Sequence, residues 1–351
     1  MKEVNESTIV DINKALQIKN LDDIRNLKAN LESKILKSKK VVIIPHMGID
    51  FDAFASAIGI SLISSKLQKP STIIVDDPVY KLEQSVKKVM DDAKKNFNIV
   101  NKDKYLKTAD KDDLFILTDV NKSNLVCINK DLNNINRENI IIIDHHDEGS
   151  TTIDSNYKFI DTNASSASEI IVKLLNSFKI KCTPEVANYL LAGIHLDTNR
   201  LTKNTTSDTF KIVAKLMENG ASNSVIDSWF TEDFESHKRV LELVSKATIY
   251  KYSYAIVLAE EGCEYTREEL ARVSDYLLKY GVDAAFAIGD VDKNLISISA
   301  RSKERVNVGD IIKELDGVGN RYSAAAKISN ETVEEVGKRL IKLIEPPFFI
   351  K

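Results

Sequence analysis

The chain of 351 residues has a net charge of −3, with 43% hydrophobic and 29% charged residues, the balance of an ordinary soluble globular protein. That length predicts two domains, and the mild acidity argues against tight binding to long nucleic acid, which needs a basic surface to displace counterions. No apolar run approaches the roughly 20 residues of a membrane span, no charged-then-apolar leader opens the chain, and the three scattered cysteines fit a reducing cytoplasm.

Residues 1–38 are polar with scattered apolar positions and read as one or two helices. A repeated unit then begins: a short β-branched run, a polar loop and an amphipathic segment. Val41-Val42-Ile43-Ile44 leads to a helix over 52–67, and Thr72-Ile73-Ile74-Val75 to a helix over 82–94. Leu114-Phe115-Ile116-Leu117 and Ile140-Ile141-Ile142-Ile143 are two further runs. Continuous apolar runs of this length are what strands covered on both faces look like. Their alternation with helices predicts an α/β fold with a doubly wound, mostly parallel sheet.

Beyond Thr151 helices are expected over 166–178, 184–195 and 207–219, with Ser207 as an N-cap and Gly220 as a stop. A second, smaller α/β unit follows: strands over 254–258, 284–288 and 296–300, and a helix over 267–280. The last helix carries Val333, Val336, Leu340, Ile341 and Ile344 on one face, and Pro346-Pro347 ends it. The expected organisation is an N-terminal helical segment (1–38), a first domain (39–240) and a second domain (241–351). The division between the two domains falls in the helical stretch near 235–250.

The acids and histidines fall at the ends of predicted strands. The first strand runs into His46, Asp50 and Asp52, the third into Asp119, and the fourth into Asp144-His145-His146-Asp147. Asp197 closes an apolar helical run. Of five histidines, only His237 lies outside these segments. Ligands of open parallel sheets bind at the carboxyl ends of the strands, so these side chains should converge on one rim. Any one Asp at a strand end is more often a turn or helix cap, and Asp52 alone could cap the helix after it. Three strands ending in Asp/His clusters together point instead to a site. Crowded carboxylates repel one another, and a divalent cation removes the conflict. Imidazole with carboxylate suits manganese, iron or zinc, and several hard oxygens favour manganese. Two such ions, about 3.5–4 Å apart, can clamp a phosphodiester and supply its nucleophile.

The ordered set His46-x-x-x-Asp50-x-Asp52-Ala53, Asp119, Asp144-His145-His146 and Asp197-Thr198 resembles the four motifs of the DHH phosphoesterases. The C-terminal part is similar to the DHH-associated domain. There Ile298-Ser299-Ala300-Arg301-Ser302, the loop Gly317-Val318-Gly319-Asn320 and Ala324-Ala325-Ala326 match the family's substrate-binding segments. Asn163-Ala164-Ser165-Ser166-Ala167-Ser168-Glu169 and Leu191-Ala192-Gly193-Ile194 look most like the catalytic module of cyclic-di-AMP phosphodiesterases. The membrane helices and sensory domains of the longer enzymes are not in this sequence, so a stand-alone module is expected.

The resemblance implies two divalent metal ions, expected to be manganese. One would be held by His46, Asp50 and Asp119, the other by Asp52, Asp119, His145 and Asp197. Asp144 would orient a histidine ligand, and His146, which cannot easily point the same way as its neighbour, would contact a phosphate or the leaving group. Arg301, Gly317, Gly319 and Asn320 would bind substrate. Ser165 and Ser166 read first as helix caps. The implied activity is hydrolysis of cyclic-di-AMP to pApA. The alternatives are action on short oligonucleotides or phosphoadenosine phosphate, or a nucleotide sensor without catalysis. The expected partner is a small nucleotide, with a homodimer left open. The loop departs from the family's Gly-Gly-Gly-His at Val318 and Asn320, which bears on substrate grip rather than on the metal site.

Overall fold

The computed structural model describes residues 6–75, 84–110, 112–129, 134–230, 234–251 and 253–344, the side chains of 6–21 and 84–85 excepted. The chain divides into two compact units, Met1–Thr231 and Glu232–Lys351. Among the described residues no helix is long and apolar enough to cross a membrane.

The first unit is built on six parallel strands: β1 (Val41–Ile44), β2 (Ser71–Val75), β3 (Ile99–Asn101), β4 (Leu114–Thr118), β5 (Ile140–Asp144) and β6 (Tyr157–Ile160). Their order is β3-β2-β1-β4-β5-β6. The strand side chains divide between two apolar layers. Val41, Ile43, Leu114, Ile116, Ile141 and Ile143 enter one core cluster. Val42, Ile44, Phe115, Leu117, Ile140 and Ile142 enter the other. Burial on both faces is why the runs show no polar alternation.

Among the described residues this unit has the helices α1 (Glu6–Lys37), α2 (Phe51–Lys66), α3 (Gln84–Ala93), α4 (Lys102–Leu106), α5 (Ala167–Ser177), α6 (Pro184–Asp197), α7 (Ser207–Glu218) and α8 (Asn223–Trp229). Residues 1–38 thus supply one long helix. It lays Ile24, Leu27, Leu31 and Ile35 into the larger core at helical spacing. The N-cap of α7 is Thr206, in a capping box with Thr209, and Ser207 is the first helical residue. Gly220 follows that helix with φ +96°, as a stop requires. Sequence periodicity passed over β3 and β6, each of three or four residues and only partly buried.

The second unit has strands β7 (Thr248–Tyr250), β8 (Tyr254–Leu258), β9 (Ala284–Asp292), β10 (Leu295–Ser302), β11 (Val318–Gly319) and β12 (Ser323–Ser329), in the order β11-β12-β10-β9-β8-β7. Only β8 and β9 pair in parallel; the other neighbours are antiparallel. Helices α9 (Phe234–Ser245), α10 (Arg267–Leu278), α11 (Val308–Lys313) and α12 (Val333–Ile344) accompany this sheet. Ala324-Ala325-Ala326 lies inside β12, with Ala324 and Ala326 buried. Pro346-Pro347 lies outside the described residues.

Candidate metal centre

Strands β1 and β4 are neighbours at the point where the strand order reverses, the position at which open α/β sheets place their ligands. The chain leaves β1 through His46 and enters α2 at Phe51. Asp50 is the N-cap of that helix: its Oδ1 accepts from the amides of Asp52 and Ala53, each at 3.0 Å. The capping role considered for Asp52 therefore belongs to Asp50. Asp52 sits in the first turn, fully buried, and its carboxylate accepts from the backbone amides of Ala167 (2.7 Å) and Ser168 (2.8 Å) at the start of α5.

Asp119 follows β4 directly and is only 3% exposed. Its φ of +58° is unusual for a residue with a side chain and costs of order 1–3 kcal/mol, a strain that clusters at functional sites. Both of its oxygens face histidines. Oδ2 lies 3.5 Å from His46 Nε2, and Oδ1 lies 3.4 Å from His145 Nε2 and 3.5 Å from His146 Nδ1. His46 Nε2 is also 3.5 Å from Asp50 Oδ2. His145 Nε2 is 3.1 Å from Asp197 Oδ2 and 3.9 Å from Asp52 Oδ2. Two donor groups result: His46, Asp50 and Asp119 in one, Asp52, His145 and Asp197 in the other. A third close grouping joins Asp119, Asp144, His145 and His146.

The sequence reading had His146 unable to share its neighbour's direction. The structure corrects this: the two imidazoles lie 4.3 Å apart, and both approach Asp119. The cause is Asp144. Its Oδ1 accepts from the amides of His145 (2.8 Å) and His146 (3.3 Å) and stands 2.9 Å from His146 Nδ1, which folds the chain over the end of β5. The histidine that Asp144 orients is therefore His146. Ser166 is the N-cap of α5, and Ser165 donates to Glu169, so both serve the local turn.

The electrostatics of the centre fit a bound cation. Burial works against a charged His46, but Asp119 and Asp50 outweigh it and lift its pKa to about 11. His145 is likewise opposed by burial and raised to about 11 by Asp119, Asp197 and Asp52. The Asp52 carboxyl is pushed well upward by burial and by the charges of Asp119 and Asp197, and Asp197 is pushed up by burial as well. Left to itself, the cluster balances its charge by holding protons. Two buried atoms, Asp119 Oδ1 and His145 Nε2, are 3.4 Å apart, and neither makes a hydrogen bond of proper alignment. Buried polar atoms are rarely left so. A carboxylate and an imidazole that face each other in this way fit a divalent cation, and the absence of thiolates sets the centre apart from structural zinc sites. His46 Nδ1 stands 3.0 Å from the carbonyl of Met47; a proton there leaves Nε2 as the coordinating nitrogen.

The centre opens into a cavity of about 200 Å³ lined by His46, Asp50, Asp119, Asp144, His146 and Asp197, together with Val120, Asn121, Lys122 and Leu125. Sequence reasoning missed these last four. Asn121 is buried and donates to the carbonyl of His146, yet nothing in a lone loop asparagine signals it. His195 belongs to none of the donor groups.

In the second unit Arg301 and Gly319 border a groove of about 340 Å³ with Ser299, Ser323 and Ala325. Gly317 and Asn320 do not line it. Arg301 Nε pairs with Asp275 at 3.2 Å. Asn320 Oδ1 accepts from the amides of Tyr322 (2.9 Å) and Ser323 (3.0 Å), which closes the turn between β11 and β12. Gly317 and Gly319 are demanded by packing. A Cβ on Gly317 would stand 2.3 Å from Ile312 Cγ2, and one on Gly319 2.3 Å from Ala324 Cα.

A parallel α/β unit with a carboxylate–histidine centre at its switch point, a donor set able to hold metal ions, is thus followed by a mixed-sheet unit. The chain belongs to the DHH family: residues 40–194 match the DHH family N-terminal domain and residues 250–345 the DHHA1 domain. It is 30% identical over 328 residues to the cyclic-di-AMP phosphodiesterase GdpP of Bacillus subtilis, a match that covers 91% of this chain and 49% of that one. It is 28% identical over 334 residues to the cyclic-di-AMP phosphodiesterase PdeA of Listeria monocytogenes, covering 92% of this chain and 50% of that one. The chain thus spans half or less of the length of these curated relatives. Among solved structures, an exopolyphosphatase-related protein from Bacteroides fragilis shares the fold with a TM-score of 0.74 at 20% identity, covering 92% of this chain and 96% of that one.

Proposed function

We propose that the chain hydrolyses cyclic-di-AMP to pApA with two divalent cations, manganese foremost. One observation carries this reading: Asp119 turns one oxygen toward His46 of one donor group and the other toward His145 of the second, so a single carboxylate would serve both. The likeness to the cyclic-di-AMP phosphodiesterases supports the choice of substrate.

His46, Asp50 and Asp119 would hold one ion; Asp52, Asp119, His145 and Asp197 would hold the other. When bound, such a pair supplies Lewis acidity and an activated nucleophile at neutral pH. The chain's own groups do the rest. The helix-capping bonds of Asp50 and the two amides on Asp52 fix these carboxylates before any ligand arrives, so little ordering cost remains. Asp144 raises the pKa of the His146 imidazole by hydrogen bonding, and that ring lines the cavity. His146 is thereby suited to give its proton to the leaving oxygen. In the second unit, Arg301 is the candidate contact for a phosphate or base, and Gly319 lets backbone border the same groove.

The test is a substrate panel of cyclic-di-AMP, pApA and phosphoadenosine phosphate, run with manganese and again with a chelator. Cyclic-di-AMP should be consumed fastest, yield pApA, and persist once metal is removed. If pApA disappears far faster than the cyclic dinucleotide, a short-oligonucleotide hydrolase replaces this reading. Tight binding without turnover in excess manganese would leave a sensor.

A further inference from the structure

We infer that Glu169 is a positioning residue for the cation site built on Asp52; this rests on the metal-centre reading above. Glu169 is 1% exposed on the first turn of α5, and protein groups engage both of its carboxylate oxygens. Oε2 accepts from the Ser165 amide (3.2 Å), the Ser165 hydroxyl (2.7 Å) and the Thr209 hydroxyl of α7 (2.8 Å). Oε1 pairs with Lys173 Nζ at 2.8 Å. Its own amide donates to Ser166 Oγ at 3.1 Å. The carboxylate therefore locks the turn 165–169 to a second helix.

That turn has one outward task. Between the two serines and Glu169, the amides of Ala167 and Ser168 point at the Asp52 carboxylate. The helix terminus adds its own attraction for the negative charge. From the opposite side Gly193 leaves Asp52 no slack, since a Cβ there would lie 2.9 Å from both Asp52 Cα and Oδ1 and 2.4 Å from Ser168 Oγ. Asp52 is thus clamped between α6 and the start of α5. Its Oδ2 stands 3.9 Å from His145 Nε2, where the shared cation would sit. Glu169 touches none of the donor atoms. It sets the position of two amides, and these set one ligand of one site. The site of His46 and Asp50 receives no bond from Glu169 or from the amides of Ala167 and Ser168; its Asp50 is fixed by the cap of α2, which uses the Asp52 amide and not the Asp52 carboxylate.

The experiment is manganese binding by the full chain, followed by titration calorimetry and by the electron paramagnetic resonance of free manganese. Glu169→Gln keeps the size but loses the charge and places an NH2 among donors. It should weaken one of two binding steps by about 10–100-fold, the usual consequence of losing a partner behind a metal ligand, and leave the other step within about twofold. Near-UV circular dichroism should match the unaltered chain. Two wild-type steps in the folded variant, or equal weakening of both, overturn the inference. Should Glu169→Gln fail to fold, Thr209→Val, which removes a single donor, is read in its place. A several-fold loss in the same step supports the inference, and no change overturns it. An unaltered chain that binds no manganese defeats the metal-centre reading instead, so the two failures are told apart.

Discussion

The rim of the parallel sheet and the β11–β12 turn of the second unit both carry residues that read as ligand contacts in the sequence, yet their side chains are occupied very differently. On the rim, buried polar atoms of Asp119, Asp144 and His145 lack hydrogen-bond partners, and Asp119 carries backbone strain as well. In the turn, Asn320 spends its carbonyl on two amides, and Gly317 and Gly319 are required by neighbours packed within 2.6 Å of where a Cβ would stand. A polar group that folding leaves unsatisfied marks where something else must complete the structure; a group already saturated marks a residue the fold needs for itself.

The sharpest test of this contrast is Asp119→Ala. On the proposed reading Asp119 serves both donor groups and its loss disables both, so turnover of cyclic-di-AMP in manganese should fall by at least about 10³-fold. Chromatography of pApA formation provides the measurement. Activity within tenfold of the unaltered chain would remove Asp119 from the centre of the site.

The next effect is smaller and concerns protons. With pKa values raised to about 11, His46 and His145 carry protons at neutral pH in the metal-free protein, and a coordinating imidazole must give its proton up. Lowering the pH therefore strengthens the competitor and weakens metal binding. Between pH 6.5 and 8.5 manganese affinity should rise by about tenfold per pH unit for each proton displaced. Calorimetry in buffers of different ionisation enthalpy should also show proton release on binding. A flat affinity without proton release would mean that the histidines do not coordinate.

Much of the rim was legible because two constraints coincide in the sequence. Strands buried on both faces leave long apolar runs, so β1, β4 and β5 announce themselves, and the Asp and His residues just beyond them need only the rule that ligands gather at strand ends. The small strands β3, β6 and β7 left no such trace, because partial burial over three or four residues makes no pattern. Roles that depend on where a side chain turns were harder. Asp50 and Asp52 both precede or open the same helix, and only the fold distinguishes them: the first is the cap while the second is held from α5. The direction of the His146 ring was not legible because it depends on the bonds of Asp144, which fold the chain over past the end of β5. Asn121 and Glu169 act through contacts with elements distant in sequence, and no local spacing encodes those.

The smallest effect belongs to the turn, and it decides whether the second half of the comparison holds. Asn320 is exposed, and its carbonyl closes the β11–β12 connection through two hydrogen bonds. Each such bond contributes about 0.5–1.5 kcal/mol net, with the lower end expected where water can substitute. Asn320→Ala should therefore lower the unfolding free energy of the second unit by about 1 kcal/mol in urea, while Asn320→Asp, which retains an acceptor, should recover most of the loss. Neither variant should move the KM for cyclic-di-AMP by more than about twofold, because the amide does not line the groove that Arg301 borders. The opposite pattern, a KM raised tenfold with stability unchanged in Asn320→Ala, would place the turn among the substrate contacts. It would also show that saturation within the fold is no guide to which of these residues a ligand uses.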